Sequence, residues 1–258
     1  MDWSLLTTNS ILLFILLVAR LSGMMMSTSF FNRAGVPSPV KVWLSVLMAF
    51  ILFPIFAVKA PLVATDIWAF LALAVQEFVL GLLIGFAADL FFGAVQLAGS
   101  FVTTQTGLSA AVMLDPTNNK QEPVFIQLYL ILAVTLFMNL NLHHTLILAV
   151  AKSFETIPLA TGFSNIGILA ERFTAMGSDM FSLGVMLVLP VFGSMLILDA
   201  ALAFMAKMMP QMNVFMVAMP LKILAGLILI IMTLPFTATA MTHGMESLSK
   251  HLMFLYGR

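Results

Sequence analysis

A run from Pro123 to Ala151 contains no Asp, Glu, Lys or Arg. Equally charge-free runs span Trp3 to Ala19, Val42 to Val58, Leu90 to Leu114, Met180 to Leu198 and Ile223 to Met245. A helix needs about 20 mostly apolar residues to cross roughly 30 Å of hydrocarbon. A chain of 258 residues that is 62% hydrophobic and 9% charged has too little polar surface to cover a soluble globule. The runs therefore predict an all-α integral membrane protein in a single membrane domain over residues 1–258. Its apolar segments lie at about 11–30, 42–58, 67–92, 123–150, 180–205 and 223–239.

Charge and cysteine content exclude several function classes. Eleven basic and eleven acidic side chains cancel, which leaves no excess charge to attract nucleic acid. The absence of Cys removes disulfides, iron–sulfur clusters and thiol nucleophiles together. The start, Met1-Asp2-Trp3-Ser4, lacks the basic opening of a signal peptide, and the first apolar stretch is read as a retained helix.

Nearly every apolar segment is interrupted. Pro54 lies inside the second and Pro190 inside the fifth; Pro210 and Pro220 flank the approach to the sixth. Backbone groups left unpaired in hydrocarbon cost several kcal/mol, so broken and kinked helices persist only against protein or a wet cavity. The expectation is packing inside a larger assembly or around a conduit. The tail, His243 to Arg258, has the pattern of an interfacial amphipathic helix.

Arg20, Glu77, Asp89, Asp199 and Lys207 lie in or beside membrane-length apolar sequence. An isolated charge at mid-bilayer costs about 3 kcal/mol on insertion scales, so such groups pair, line a water path or sit at an interface. Sequence leaves all three readings open. Gly81-x-x-x-Gly85 has the spacing that lets two helix backbones approach closely. His143 and His144 are adjacent and point apart on a helix, a poor joint metal site, so no metal or cofactor is expected. Neither a Gly-x-Ser-x-Gly elbow nor a phosphate-binding Gly-rich loop occurs, so hydrolysis and ATP use have no support.

The stretch from Thr103 to Asp115 mixes small, polar and apolar residues without charge. Gly107 permits dihedrals that other residues resist. Leu108, Val112, Met113 and Leu114 have the character of an apolar constriction, which gates by excluding water. The other reading is an ordinary broken helix at a subunit contact.

Further residues carry a likeness to a known family. These are Arg20 in the first apolar segment, Gly35-Val36-Pro37 followed by Lys41, and Glu77 with Gly81 and Gly85. To them are added Gly99, Gln105-x-Gly107, Asp115-Pro116 before Pro123, Pro158 and Pro190. Pro210-Gln211-x-Asn213-Val214-Phe215 and Pro220-x-Lys222 complete the series. In this order and spacing the chain resembles the FliR family, a subunit of the flagellar type III protein export gate with relatives in virulence secretion. The family often has a Phe-Asn-Gly-His-like element where this chain reads Met138-Asn139-Leu140-Asn141-Leu142-His143-His144.

The resemblance implies a fused FliP-like plus FliQ-like unit within a helical pore assembly of the bacterial inner membrane, at the flagellar basal body. One copy would join five copies of FliP and four of FliQ, with FlhB at the base and part of the assembly raised toward the periplasm. Unfolded flagellar proteins would be its transient partners, and membrane lipid its surroundings. Gln105, Gly107, Leu108, Val112, Met113, Leu114 and Asp115 would fall in a plug-like loop. Arg20, Lys41, Glu77, Gly81, Gly85, Pro210 and Lys222 would serve structure and assembly. Two other functions fit the residues themselves: a small secondary transporter coupled through Glu77 or Asp89, and a purely structural membrane subunit.

Overall fold

The computed structural model describes residues 8–33, 36–56, 66–109, 123–159, 166–209, 211 and 213–255, and among these there is no strand. The described helices are α1 (Thr8–Ser27), α2 (Ser29–Arg33), α3 (Ser38–Phe56) and α4 (Ile67–Gln105). They continue with α5 (Val124–Asn139), α6 (Leu142–Thr156), α7 (Ile166–Met208) and α8 (Val214–Leu255). The protein is an all-α integral membrane protein. Among the described residues five helices are long and apolar enough to cross a membrane, or six when the bent pair α5–α6 counts as one span.

Three helices run well past the apolar segments that mark them. α4 has 39 residues, α7 has 43 and α8 has 42. At 1.5 Å per residue these extend about 58 to 65 Å, roughly twice the hydrocarbon thickness. Ser100, Thr103 and Thr104 do not end α4, because each hydroxyl donates back to a carbonyl of its own helix at 2.7–3.0 Å. α7 continues through Pro190, and α8 through Pro220 and Pro235. The tail expected as a separate interfacial helix is the last part of α8 as far as Leu255.

One break has a clear local cause. α5 ends at Asn139 and α6 begins at Leu142, with Leu140 and Asn141 between them. Asn141 has φ 54°, in the left-handed region that Asn enters more readily than most residues. Its carbonyl accepts the amides of His144 and Thr145 and so starts α6.

The chain packs as two compact units. One comprises Met1–Phe91, Asn141–Gly177 and Glu246–Arg258; the other comprises Phe92–Leu140 and Ser178–Met245. In the first, Leu13, Leu16, Leu17, Leu21 and Met24 recur at three- and four-residue spacing and bury one face of α1. α1 rests on α3, where Phe14 and Phe53 meet edge to face at 5.8 Å. In the second, Val95, Ala98 and Val102 of α4 are buried, as are Tyr129, Ala133 and Phe137 of α5. Leu187, Val191 and Met195 of α7 and Met241 and Met245 of α8 complete that core.

Candidate functional site

Arg20 lies two-thirds of the way along α1 and is fully buried, 0% exposed. Its Nε and Nη2 both reach Oε2 of Glu77 on α4 at 2.6 Å, and Glu77 is 3% exposed. Nη1 donates to Ser153 Oγ at 3.0 Å, and Nη2 to the Ile157 carbonyl at 3.1 Å. The guanidinium also lies 4.3 Å from the centroid of the Phe154 ring. Ser153 in turn donates to the Val150 carbonyl at 2.6 Å.

This cluster joins α1, α4 and the end of α6 through one side chain. Ile157 is the C-cap of α6, so the guanidinium meets a helix terminus whose carbonyls carry partial negative charge. A planar group with five donors suits that task better than a lysine point charge. Burying two charges repays their desolvation only when geometry is good and further hydrogen bonds satisfy the remaining protons. Both conditions are met here. Both charged groups are buried, and their hydrogen bonds tie α1, α4 and the end of α6 together.

Beside the cluster the backbones of α1 and α4 touch. A Cβ on Gly81 would run into the Arg20 carbonyl and lie 3.0 Å from Met24 N. One on Gly85 would lie 2.9 Å from both Ser27 Cβ and Thr28 Oγ1. From the other side, a Cβ on Gly23 would strike the Phe78 carbonyl. The contact is thus backbone on backbone, which bulkier residues cannot reproduce.

The other intramembrane charges are also engaged. Asp89 Oδ1 accepts the Ser29 amide at 3.2 Å, at the start of α2. Lys222 Nζ and Asp199 Oδ1 are 2.5 Å apart, joining α8 to α7, with side chains 23% and 36% exposed. Lys207 stands in the last turn of α7, where a cation is favoured. Lys41 is buried on α3, and its carbonyl accepts the Ser45 hydroxyl at 2.8 Å. Glu77 and Asp89, the carboxylates of the transporter reading, thus contact Arg20 of α1 and the Ser29 amide at the start of α2.

The charge-free stretch begins where α4 ends. Gln105 is the last helical residue and is half-buried. Thr106 is buried, its methyl pressed on Gly226 of α8, where an added Cβ would also come within 3.0 Å of Met195 Cε. Gly107 then turns the chain with φ 76°, its amide donating to the Thr104 carbonyl at 3.2 Å. Leu108 is half-buried just beyond. Val112, Met113, Leu114, Asp115 and Pro210 lie outside the described residues.

Two features escaped the sequence reading. His143 and His144 do not diverge: their ring centroids are 4.1 Å apart at the start of α6, held by the Asn141 turn. Among the described residues, however, no three His, Asp or Glu side chains gather as metal ligands. Tyr129 is fully buried with its hydroxyl toward Thr237, whose own hydroxyl is committed to the Thr233 carbonyl at 3.0 Å. No spacing in the sequence announces that meeting of α5 and α8.

The chain matches bacterial export proteins, family 1, over residues 11–248. It is 32% identical over 224 residues to the flagellar biosynthetic protein FliR of Bacillus subtilis (strain 168), which covers 84% of each chain. To the protein of the same name from Escherichia coli (strain K12) it is 31% identical over 214 residues, 82% of this chain and 80% of the relative. It is also 29% identical over 186 residues to the Yop proteins translocation protein T of Yersinia pestis, 71% of each chain.

Proposed function

We infer, because the chain belongs to family 1 of the bacterial export proteins and within it to the FliR family, that it is a subunit of a flagellar protein export apparatus in the bacterial inner membrane. Its role there is non-enzymatic. It contributes to the wall of a protein-conducting gate and to the constriction that closes it, and unfolded flagellar proteins pass when that constriction parts. One copy joins five of FliP and four of FliQ as a fused equivalent of one of each, with FlhB at the base and part of the assembly raised toward the periplasm. Energy for transport is supplied elsewhere.

The observation that carries the constriction is the end of α4. Thr106 is clamped on Gly226, and the next residue, Gly107, takes a left-handed turn into seven uncharged residues, 108–114. A fixed helix end followed by a glycine pivot suits an apolar plug that must move without disturbing its anchor. Gln105, Gly107 and Leu108 form the anchored side, and Val112, Met113, Leu114 and Asp115 the remainder of the plug.

The test is ion conductance through the purified assembly in planar bilayers. Replacing residues 107–114 with Ser and Asn should leave assembly intact and raise leakage; unchanged leakage in a fully assembled variant rejects the seal. Native mass spectrometry of the same preparation tests the stoichiometry separately.

A further inference from the structure

In the second unit α7 and α8 run antiparallel. Leu183 meets Gly244, Met195 meets Gly226 and Asp199 meets Lys222, so the numbers rise along α7 as they fall along α8. Asp199 stands four residues after Met195, and Lys222 four residues before Gly226, about one helical turn or 6 Å in each case. The ion pair is therefore one turn from the place where the end of α4 is gripped. There a Cβ on Gly226 would lie 2.9 Å from Thr106 Cβ and 3.0 Å from Met195 Cε.

Apolar contact alone fixes that arrangement poorly. Met is unbranched and refills space after a slip, and the surface around the pair is apolar on both helices, with Leu196, Ile197, Leu221 and Leu224 exposed. Two opposite charges do fix it. At 3.6 residues per turn, a one-residue slip of α8 rotates Lys222 by about 100° and breaks its 2.5 Å contact with Asp199. The same slip carries Gly226 off the Thr106 methyl. With side chains 23% and 36% exposed, the pair adds little to stability. Its effect is on register, the best-attested use of a polar group set into an apolar helix contact.

We propose that Asp199 and Lys222 are positioning residues of the closed state. Their ion pair holds α7 and α8 in the register at which Met195 and Gly226 grip Thr106, and thereby holds the end of α4 from which Gly107 turns. The consequence for closure rests on the constriction proposed for residues 107–114; the register does not.

Thiol protection at position 106 tests it, since the chain has no Cys and Thr106 is fully buried. In the purified assembly Thr106→Cys should react slowly with a maleimide, read as added mass on this chain. Adding Asp199→Asn should speed the reaction about three- to fivefold. Lys222→Asp, which sets two carboxylates together, should speed it about tenfold or more. Exchanging the charges, Asp199→Lys with Lys222→Asp, should restore slow labelling. Ala133→Cys, buried on α5 of the same unit, should label slowly throughout. Faster labelling there as well means general loosening and overturns the register role, as does labelling of Thr106→Cys that neither charge change alters. The milder Asp199→Asn decides the point if Lys222→Asp does not assemble. Ion conductance of the same assemblies tests closure separately. Leakage that rises with the single changes and falls again on exchange supports the pair's part in closure. Lost protection without leakage rejects the constriction and leaves the register standing.

Discussion

Arg20 and Glu77 form an ion pair 2.6 Å long with neither side chain reaching solvent, and the same guanidinium closes the C-terminal end of α6 at Ile157. One residue thereby fixes the mutual position of three helices. A buried pair of this kind is sensitive to losing one partner and tolerant of losing both.

Removing one charge leaves the other buried without its counterion. Arg20→Leu or Glu77→Leu should each destabilise the chain by about 3–5 kcal/mol. The double variant, apolar on both sides, should recover much of that loss. Thermal denaturation of the detergent-purified chain measures all three, and strictly additive losses would sink the coupling.

Glycine positions separate by what surrounds them. Gly81→Ala pushes a Cβ into the Arg20 carbonyl, so the helices must part, at a cost of about 1–3 kcal/mol for overpacking. Gly93 has nothing within 4 Å of the corresponding Cβ. Gly93→Ala in the isolated chain should be neutral or stabilising by about 0.5–1 kcal/mol through helix propensity. Comparing the two melting temperatures decides the point; equal effects would contradict the close approach.

At Gly107 the backbone itself sets the ranking. Its φ of 76° suits Gly, is reachable by Asn and resists a β-branched residue. Gly107→Asn should therefore retain most flagellar export and Gly107→Val should lose most of it, with similar amounts of chain in the membrane. Motility halos and immunoblots of membranes give both readouts.

The partly exposed pair Lys222–Asp199 should behave differently from the buried one. Asp199→Asn should cost no more than about 1 kcal/mol in the detergent-solubilised chain, because exposure screens the attraction. Exchanging the two residues, Asp199→Lys with Lys222→Asp, should restore it. A loss as large as that for Glu77→Leu would mean the pair is shielded more deeply than its exposure indicates.

The all-α membrane class was legible because lipid imposes a length on apolar sequence, and the family was legible in scattered Gly, Pro and charged positions. Helix ends were not. Thr103 and Thr104 read as polar, yet their hydroxyls bond to their own helix and let α4 run on to Gln105. The break at Asn141 carries neither Gly nor Pro, and a lone Asn is too weak a signal to mark it. Charge partners were hidden for a simpler reason: Arg20 is 57 residues from Glu77 and 137 from Ile157 along the chain. Periodicity within one helix cannot report a meeting between three.

That separation also imposes a timetable. A ribosome adding about 5–20 residues per second exposes Arg20 some 3–11 s before Glu77 exists, and about 7–27 s before Ile157 does. During the first of those intervals Arg20 lacks its Glu77 partner. The cluster that ties three helices together in the finished protein therefore stays incomplete until the end of α6 has been made.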